Sequence, residues 1–170
     1  QVLPVGGFMK NVLVEKYGVA PEKIRTVYNG IDQEKKDLSP ALTVFKHMGY
    51  KIVLFLGRIT LQKGPDYFVE AAALVLRNMA GVQFVMAGVG DMMPQIVEKV
   101  AELQIGSHFH FTGFLQGREV ERIYAVSDLY VMPSVSEPFG ISPLEAMLYD
   151  VPVIISKQSG VAEILHHALK

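Results

Sequence analysis

From residue 51 onward, short apolar runs and helical spacings alternate along the chain with little interruption. "KIVLFLG" (51–57) is a continuous apolar run closed by glycine, the pattern of a strand buried on both faces. Phe68, Ala71, Ala72 and Val75 follow at i, i+3, i+4, i+7 and predict a helix. "VQFVMAG" (82–88) reads as a second strand, after which Met93, Ile96, Val97 and Val100 repeat the helical spacing. "SHFHFTG" (107–113) is a third, followed by a short helix through Val120, Ile123 and Tyr124. "DLYVMPS" (128–134) and "VPVII" (151–155) are the last two strands, with a helix containing Glu145 between them and another opening near Gly160. Strand–helix units in succession predict an α/β fold, a Rossmann-like parallel sheet with helices on both faces, because parallel neighbours need crossovers of this length.

Residues 1–32 form a different piece. "GGFMKNVLVEKYG" predicts a helix ended by Gly18, and "KIRTVYNGID" a short strand followed by an Asn-Gly turn. Residues 33–50 lack clear periodicity and read as a connector to a domain over 51–170. In open parallel sheets ligands bind outside the carboxyl ends of the strands. The candidate chemistry therefore lies in five strand-exit loops, "GRITLQKG", "GVGDMM", "GFLQGR", "PSVSEPFG" and "KQSGVAE".

Composition narrows the partners. With 170 residues, half of them hydrophobic, the chain can bury roughly two-thirds of its unfolded surface in one core. A net charge of −1 offers no overall field for nucleic acid or an anionic membrane, so any anion must be met by local groups. The absence of cysteine excludes disulfides, thiolate metal sites and a cysteine nucleophile. No apolar run approaches the ~20 residues of a membrane helix, and the N-terminus lacks the charged n-region of a signal peptide. The chain begins with Gln1 rather than methionine, which is expected of a piece cut from something longer.

Two familiar phosphate motifs fail on their residues. "GVGDMM" has Gly88 and Gly90, but Met93 stands where a dinucleotide fingerprint needs its third glycine, and no acidic residue follows about 20 positions on. In "GRITLQKG" the lysine precedes the glycine and no hydroxyl residue follows it. What remains there is Arg58, a fork for phosphate oxygens, and Lys63, a mobile point charge. His108 and His110 alternate on a predicted strand and share a face, but no third ligand accompanies them. His166 and His167 are adjacent on a helix, diverge, and read as structural. No metal site is expected.

The stretch "SEPFGISPLEA" (136–146) places Glu137 and Glu145 eight positions apart around a turn. Ser142, Pro143 and Glu145 fit a helix start with Ser142 as N-cap and Glu145 closing a capping box, a device worth ~1 kcal/mol without any ligand. Glu137 precedes the turn, where Pro138 favours extended backbone and capping gives it no role. Gly140 removes side-chain bulk where backbone N–H groups could face an anion. Such a segment suits a ligand bearing both hydroxyls and phosphates.

Glu137-Pro138-Phe139-Gly140 followed by Leu144-Glu145-Ala146-Met147 resembles the hallmark of the retaining glycosyltransferases of the group-1 or family-4 type. The likeness extends through "NGID" (29–32), "GR…KG" (57–64), "FTGF" (111–114), "DLYVMPS" (128–134) and "GVAEI" (160–164), in order over nearly the whole chain. These glycogen-synthase-like enzymes have two Rossmann-like domains facing across a cleft. The resemblance implies a nucleotide-diphosphate sugar as donor, held by the C-terminal domain, with no cofactor and no metal. Arg58 and Lys63, leaving Gly57, would hold the diphosphate. Glu137, at the catalytic position, would bind sugar hydroxyls, and the N–H groups around Phe139, Gly140 and Ile141 would contact sugar and phosphate. Glu145 would bond the ribose, while Phe114 and Leu115 would lie near the base. A cytoplasmic location and a glycan or lipid-linked acceptor are likewise implied.

Departures from the pattern add expectations. Ser159-Gly160 replaces the usual glycine pair before "VAEI", and the chain stops at Lys170 where the family continues. Residues 1–32 correspond to the residual end of an acceptor-binding N-terminal domain. A fragment of this kind is expected to bind nucleotide diphosphate weakly and to turn over little or nothing alone. Two other functions compete: a non-hydrolysing nucleotide-sugar epimerase, which as a rule lacks this glutamate spacing, and a non-catalytic Rossmann-type binding module.

Overall fold

The apolar runs that end in glycine become adjacent parallel strands. In the computed structural model, which describes residues 1–32 and 49–165, these strands are β1 (Lys51–Leu56), β2 (Val82–Ala87), β3 (Phe109–Gly113), β4 (Leu129–Met132) and β5 (Val153–Ile155). They form one sheet in the order β3-β2-β1-β4-β5, every pairing parallel. The chain winds outward from β1 to β2 and β3, then returns to the other side of β1 for β4 and β5. The order thus reverses between β1 and β4, the place where open α/β sheets leave a crevice at their carboxyl edge.

Successive strand residues face opposite ways, so β1 sends Phe55 to one core and Ile52 and Leu54 to another. On the first face, α2 (Pro65–Leu76) and α3 (Met93–Glu102) cover a cluster of rings. Phe84 and Phe109 stack with centroids 5.6 Å apart, and Phe68 meets both edge-on at 5.8 and 6.0 Å. On the second, α4 (Arg118–Val126) and α5 (Ser142–Leu148) bring Tyr124 and Ala146 against Tyr130, Met132 and Phe139, joined by Val161 just before α6 (Ala162–Leu165). The fold class read from the sequence is the one observed. No described helix is long and apolar enough to cross a membrane.

Several boundaries differ from expectation. α1 (Gly7–Glu15) forms in the N-terminal piece, with the Gly18 N–H bonded to Val14 O at 3.1 Å. The strand expected in "KIRTVYNGID" is reduced to a single bridge between Val2 and Ile24, flanked by Arg25 N to Val2 O and Val27 N to Pro4 O. Pro4 has no N–H to extend a ladder. The third strand starts at Phe109, because residues 106–108 close into a tight 3₁₀ turn. His108 therefore does not share a strand face with His110. Its Nδ1 contacts Val82 O, while His110 Nε2 contacts the Gln83 side chain. Most of the 33–50 connector, and His166 and His167, lie outside the described residues.

Candidate functional site

Three strand-exit loops are stitched together at the carboxyl edge. From the β1 exit, Gln62 O accepts the Val135 N–H at 2.9 Å and Gln62 Nε2 donates to Ser136 O at 2.9 Å. From the β5 exit, Gln158 O accepts the Glu137 N–H at 3.2 Å, and the Gly160 and Val161 N–H groups donate to Glu137 O and Phe139 O at 2.9 and 2.7 Å. The backbone around Glu137 is thus held from both sides. Gly160 makes this possible: a Cβ there would stand 2.2 Å from Pro138 O.

Lys63, at the end of a 3₁₀ turn at 61–63, forms an ion pair with Glu137 Oε2. Their side chains are only 21% and 10% exposed. A pair this far from water costs desolvation of both charges, and removing either member leaves the other buried and uncompensated. The cation and the acid that the sequence assigned to different halves of a ligand are in direct contact. Arg58 lies on the same loop, exposed, and among the described residues no ion pair engages it. The Gly57 N–H is bonded to Ala87 O, tying that loop to β2.

The turn after Glu137 brings backbone donors to the same edge. Among the described residues, the N–H groups of Phe139, Gly140 and Ile141 donate to no protein acceptor. Gly140 adopts a φ of 91°, a region that L side chains avoid, and a Cβ there would meet Met132 Cε at 2.9 Å and Glu137 Cγ at 3.1 Å. The bulk it omits makes room for Glu137 and Met132 rather than for a ligand. Phe139 is buried, whereas Ile141 is exposed.

The capping box does not form. Ser142 is already helical, the cap position falls on Ile141, and no side chain caps the helix. Ile141 O accepts the Leu144 and Glu145 N–H groups directly, and the Glu145 carboxylate turns away to accept the Tyr124 hydroxyl at 3.0 Å. The Tyr130 hydroxyl donates to Leu56 O at 3.3 Å. Burial pushes both phenols far above the ordinary tyrosine range, and the Glu145 charge adds to this. The sequence marked Tyr124 only as an apolar position of a short helix, so its hydroxyl partner was not legible there.

The remaining candidates spread outward. Phe114 is 65% exposed just past β3. Leu115 packs on the second core and lines an apolar cavity of about 510 Å³ between β1, β2, β3 and α4, away from the Lys63–Glu137 pair. A larger cavity of about 1090 Å³ opens between Ser136, Lys157, Gln158, Ser159 and Phe8.

Comparison with known proteins decides the family, because the profile for group 1 glycosyl transferases matches residues 40–170. The chain belongs to that family. It is 32% identical over 175 residues to an uncharacterised glycosyltransferase of Methanocaldococcus jannaschii, covering 98% of this chain and 45% of that protein. It is 33% identical over 120 residues to the 2-deoxystreptamine N-acetyl-D-glucosaminyltransferase of Niallia circulans, covering 71% of this chain and 31% of the relative. Among solved structures it resembles Anabaena HepE in complex with UDP and glucose, with a TM-score of 0.84 and 23% identity over 98% of this chain and 47% of that one. The glycosyltransferase chain thus spans about half the length, or less, of these relatives.

Proposed function

We propose that the chain is the donor-binding part of a retaining hexosyltransferase, which takes a nucleoside-diphosphate sugar and passes the hexose, with its configuration kept, to a glycan or other acceptor. The observation that carries this reading is the buried Lys63–Glu137 pair at the reversal point of the sheet, set beside a turn whose Phe139, Gly140 and Ile141 N–H groups have no acceptor among the described residues. The UDP and glucose bound to HepE support the ligand class. Residues 51–170 form the donor domain and residues 1–32 the end of the acceptor domain.

Breaking a sugar–phosphate bond develops positive charge on the sugar and negative charge on the departing diphosphate. Arg58, Lys63 and the N–H groups of Phe139, Gly140 and Ile141 meet the diphosphate. Fixed donors of this kind act selectively on the transition state, each worth ~3–4 kcal/mol. A diphosphate arriving at Lys63 competes with Glu137 for the ammonium, so the two groups hold each other in place until the donor separates their tasks. Glu137 then binds sugar hydroxyls as a ligand, leaving the acceptor to attack from the same face. Glu145 takes the ribose, and Phe114 and Leu115 flank the base.

A thermal-shift panel of UDP-, ADP- and GDP-glucose tests the proposal. One of them should raise the melting temperature, since a ligand at a hundred times its Kd stabilises a folded protein by about 2.7 kcal/mol. No response to any of them at millimolar concentration would overturn the reading. Interconversion of the sugar without an acceptor would point to an epimerase instead.

A further inference from the structure

Glu163 lies outside the residues assigned to the donor, yet its carboxylate joins three segments distant in sequence. Oε2 accepts the Gly7 N–H at 2.8 Å, Oε1 accepts the Phe8 N–H at 3.1 Å, and Oε2 also accepts the Tyr28 hydroxyl at 3.2 Å. Gly6 and Gly7 allow this close approach: a Cβ on Gly6 would stand 3.3 Å from Pro138 O, and one on Gly7 3.1 Å from the Glu163 oxygens. The Tyr28 ring in turn lies 6.1 Å from that of Phe139. Glu163 also stands on the helix whose lead-in residues, Gly160 and Val161, bond to Glu137 O and Phe139 O. One charged group therefore grips the start of α1 and Tyr28 from a helix whose own approach grips the Glu137–Phe139 turn.

We propose that Glu163 is a positioning residue for the sugar half of the donor site, clamping residues 7–28 over the Pro138–Phe139 turn so that Glu137 keeps its place. This rests on the donor reading above. The chemistry requires a carboxylate. Its two oxygens serve two adjacent backbone donors, and the negative charge opposes the positive end of α1. An amide of the same shape supplies one acceptor oxygen and turns an N–H against the second donor.

The test is Glu163→Gln in the full-length protein, with Glu137→Ala as reference. Binding of UDP-, ADP- and GDP-glucose is measured against the corresponding free diphosphates. Loss of a charge-assisted contact network predicts about tenfold weaker nucleotide-sugar binding, with the free diphosphate changed less than about twofold. Equal loss for sugar and diphosphate, or no loss, overturns the proposal. If Glu137→Ala shows sugar-specific loss and Glu163→Gln does not, the donor reading stands and the positioning role fails. If no nucleotide sugar binds the unmodified protein, the donor reading fails, and amide hydrogen exchange decides the clamp separately. Faster exchange at Gly160 and Val161 in Glu163→Gln, with Leu54 in β1 unchanged, supports it. Unchanged or uniformly faster exchange overturns it.

Discussion

The face carrying α2 and α3 and the face carrying α4, α5 and α6 cover the same sheet, but they are filled with different groups. The first holds Phe55, Phe68, Phe84 and Phe109 with aliphatic neighbours, and needs only shape to be satisfied. The second includes the hydroxyls of Tyr124 and Tyr130, and the loops at its carboxyl edge bury Glu137 and Ser159. Buried polar groups must find partners, so this face is fixed by directed bonds. Those bonds aim two carboxylates at the strand exits. One face is scaffold; the other holds the candidate chemistry.

Substitution at matched depth should separate the two. Phe68→Ala on the scaffold face empties space between three rings and should cost about 3–5 kcal/mol in denaturant unfolding. The fraction that stays folded should keep its nucleotide affinity. Glu137→Ala should strike function as well. Sugar transfer by the full-length enzyme should fall by at least about a hundredfold, with stability also reduced, because Lys63 is left buried without its partner. Transfer at the unmodified rate would place the catalytic centre elsewhere.

Smaller effects probe the phenols. Tyr124→Phe removes one hydroxyl and its bond to Glu145, and should cost about 1 kcal/mol of stability. Glu145→Gln keeps an oxygen that can accept from Tyr124. With no capping box to lose, it should leave stability nearly unchanged while weakening nucleotide binding in isothermal titration. Stability loss near that of a lost cap, about 1 kcal/mol, would restore the capping role. A further effect is in pH. Both phenols have raised pKa values in the folded state, so their contribution is complete below the unfolded value of about 10 and declines above it, as the unfolded chain alone releases protons. Urea midpoints should therefore be flat in this respect up to about pH 10 and fall beyond it, less steeply in Tyr124→Phe.

The scaffold face is largely legible, because apolar spacing reports burial: Phe68, Ala72, Ile96 and Val100, marked by period alone, are core, while Ala71 and Val97 at the same spacing are exposed. The candidate site was legible in its residues and not in its contacts. Glu137 and Lys63 were named for separate tasks, and nothing in a spacing of 74 positions says that they touch. Ser142 satisfies every local rule for an N-cap and yet is the first helical residue, with the cap position at Ile141 and no side-chain cap.

The sequence by itself determined the strand–helix alternation, the parallel sheet, the loops at its carboxyl edge and, through the glutamate pair, the family. Each of these depends on residues near one another in the chain, where periodicity and turn chemistry act. Only the tertiary structure decided that the sheet reverses between β1 and β4, that Lys63 and Glu137 meet there, and that Glu163 reaches back to Gly7 and Phe8. Those outcomes depend on which distant groups share a buried space, and that is settled by packing and desolvation rather than by spacing along the chain.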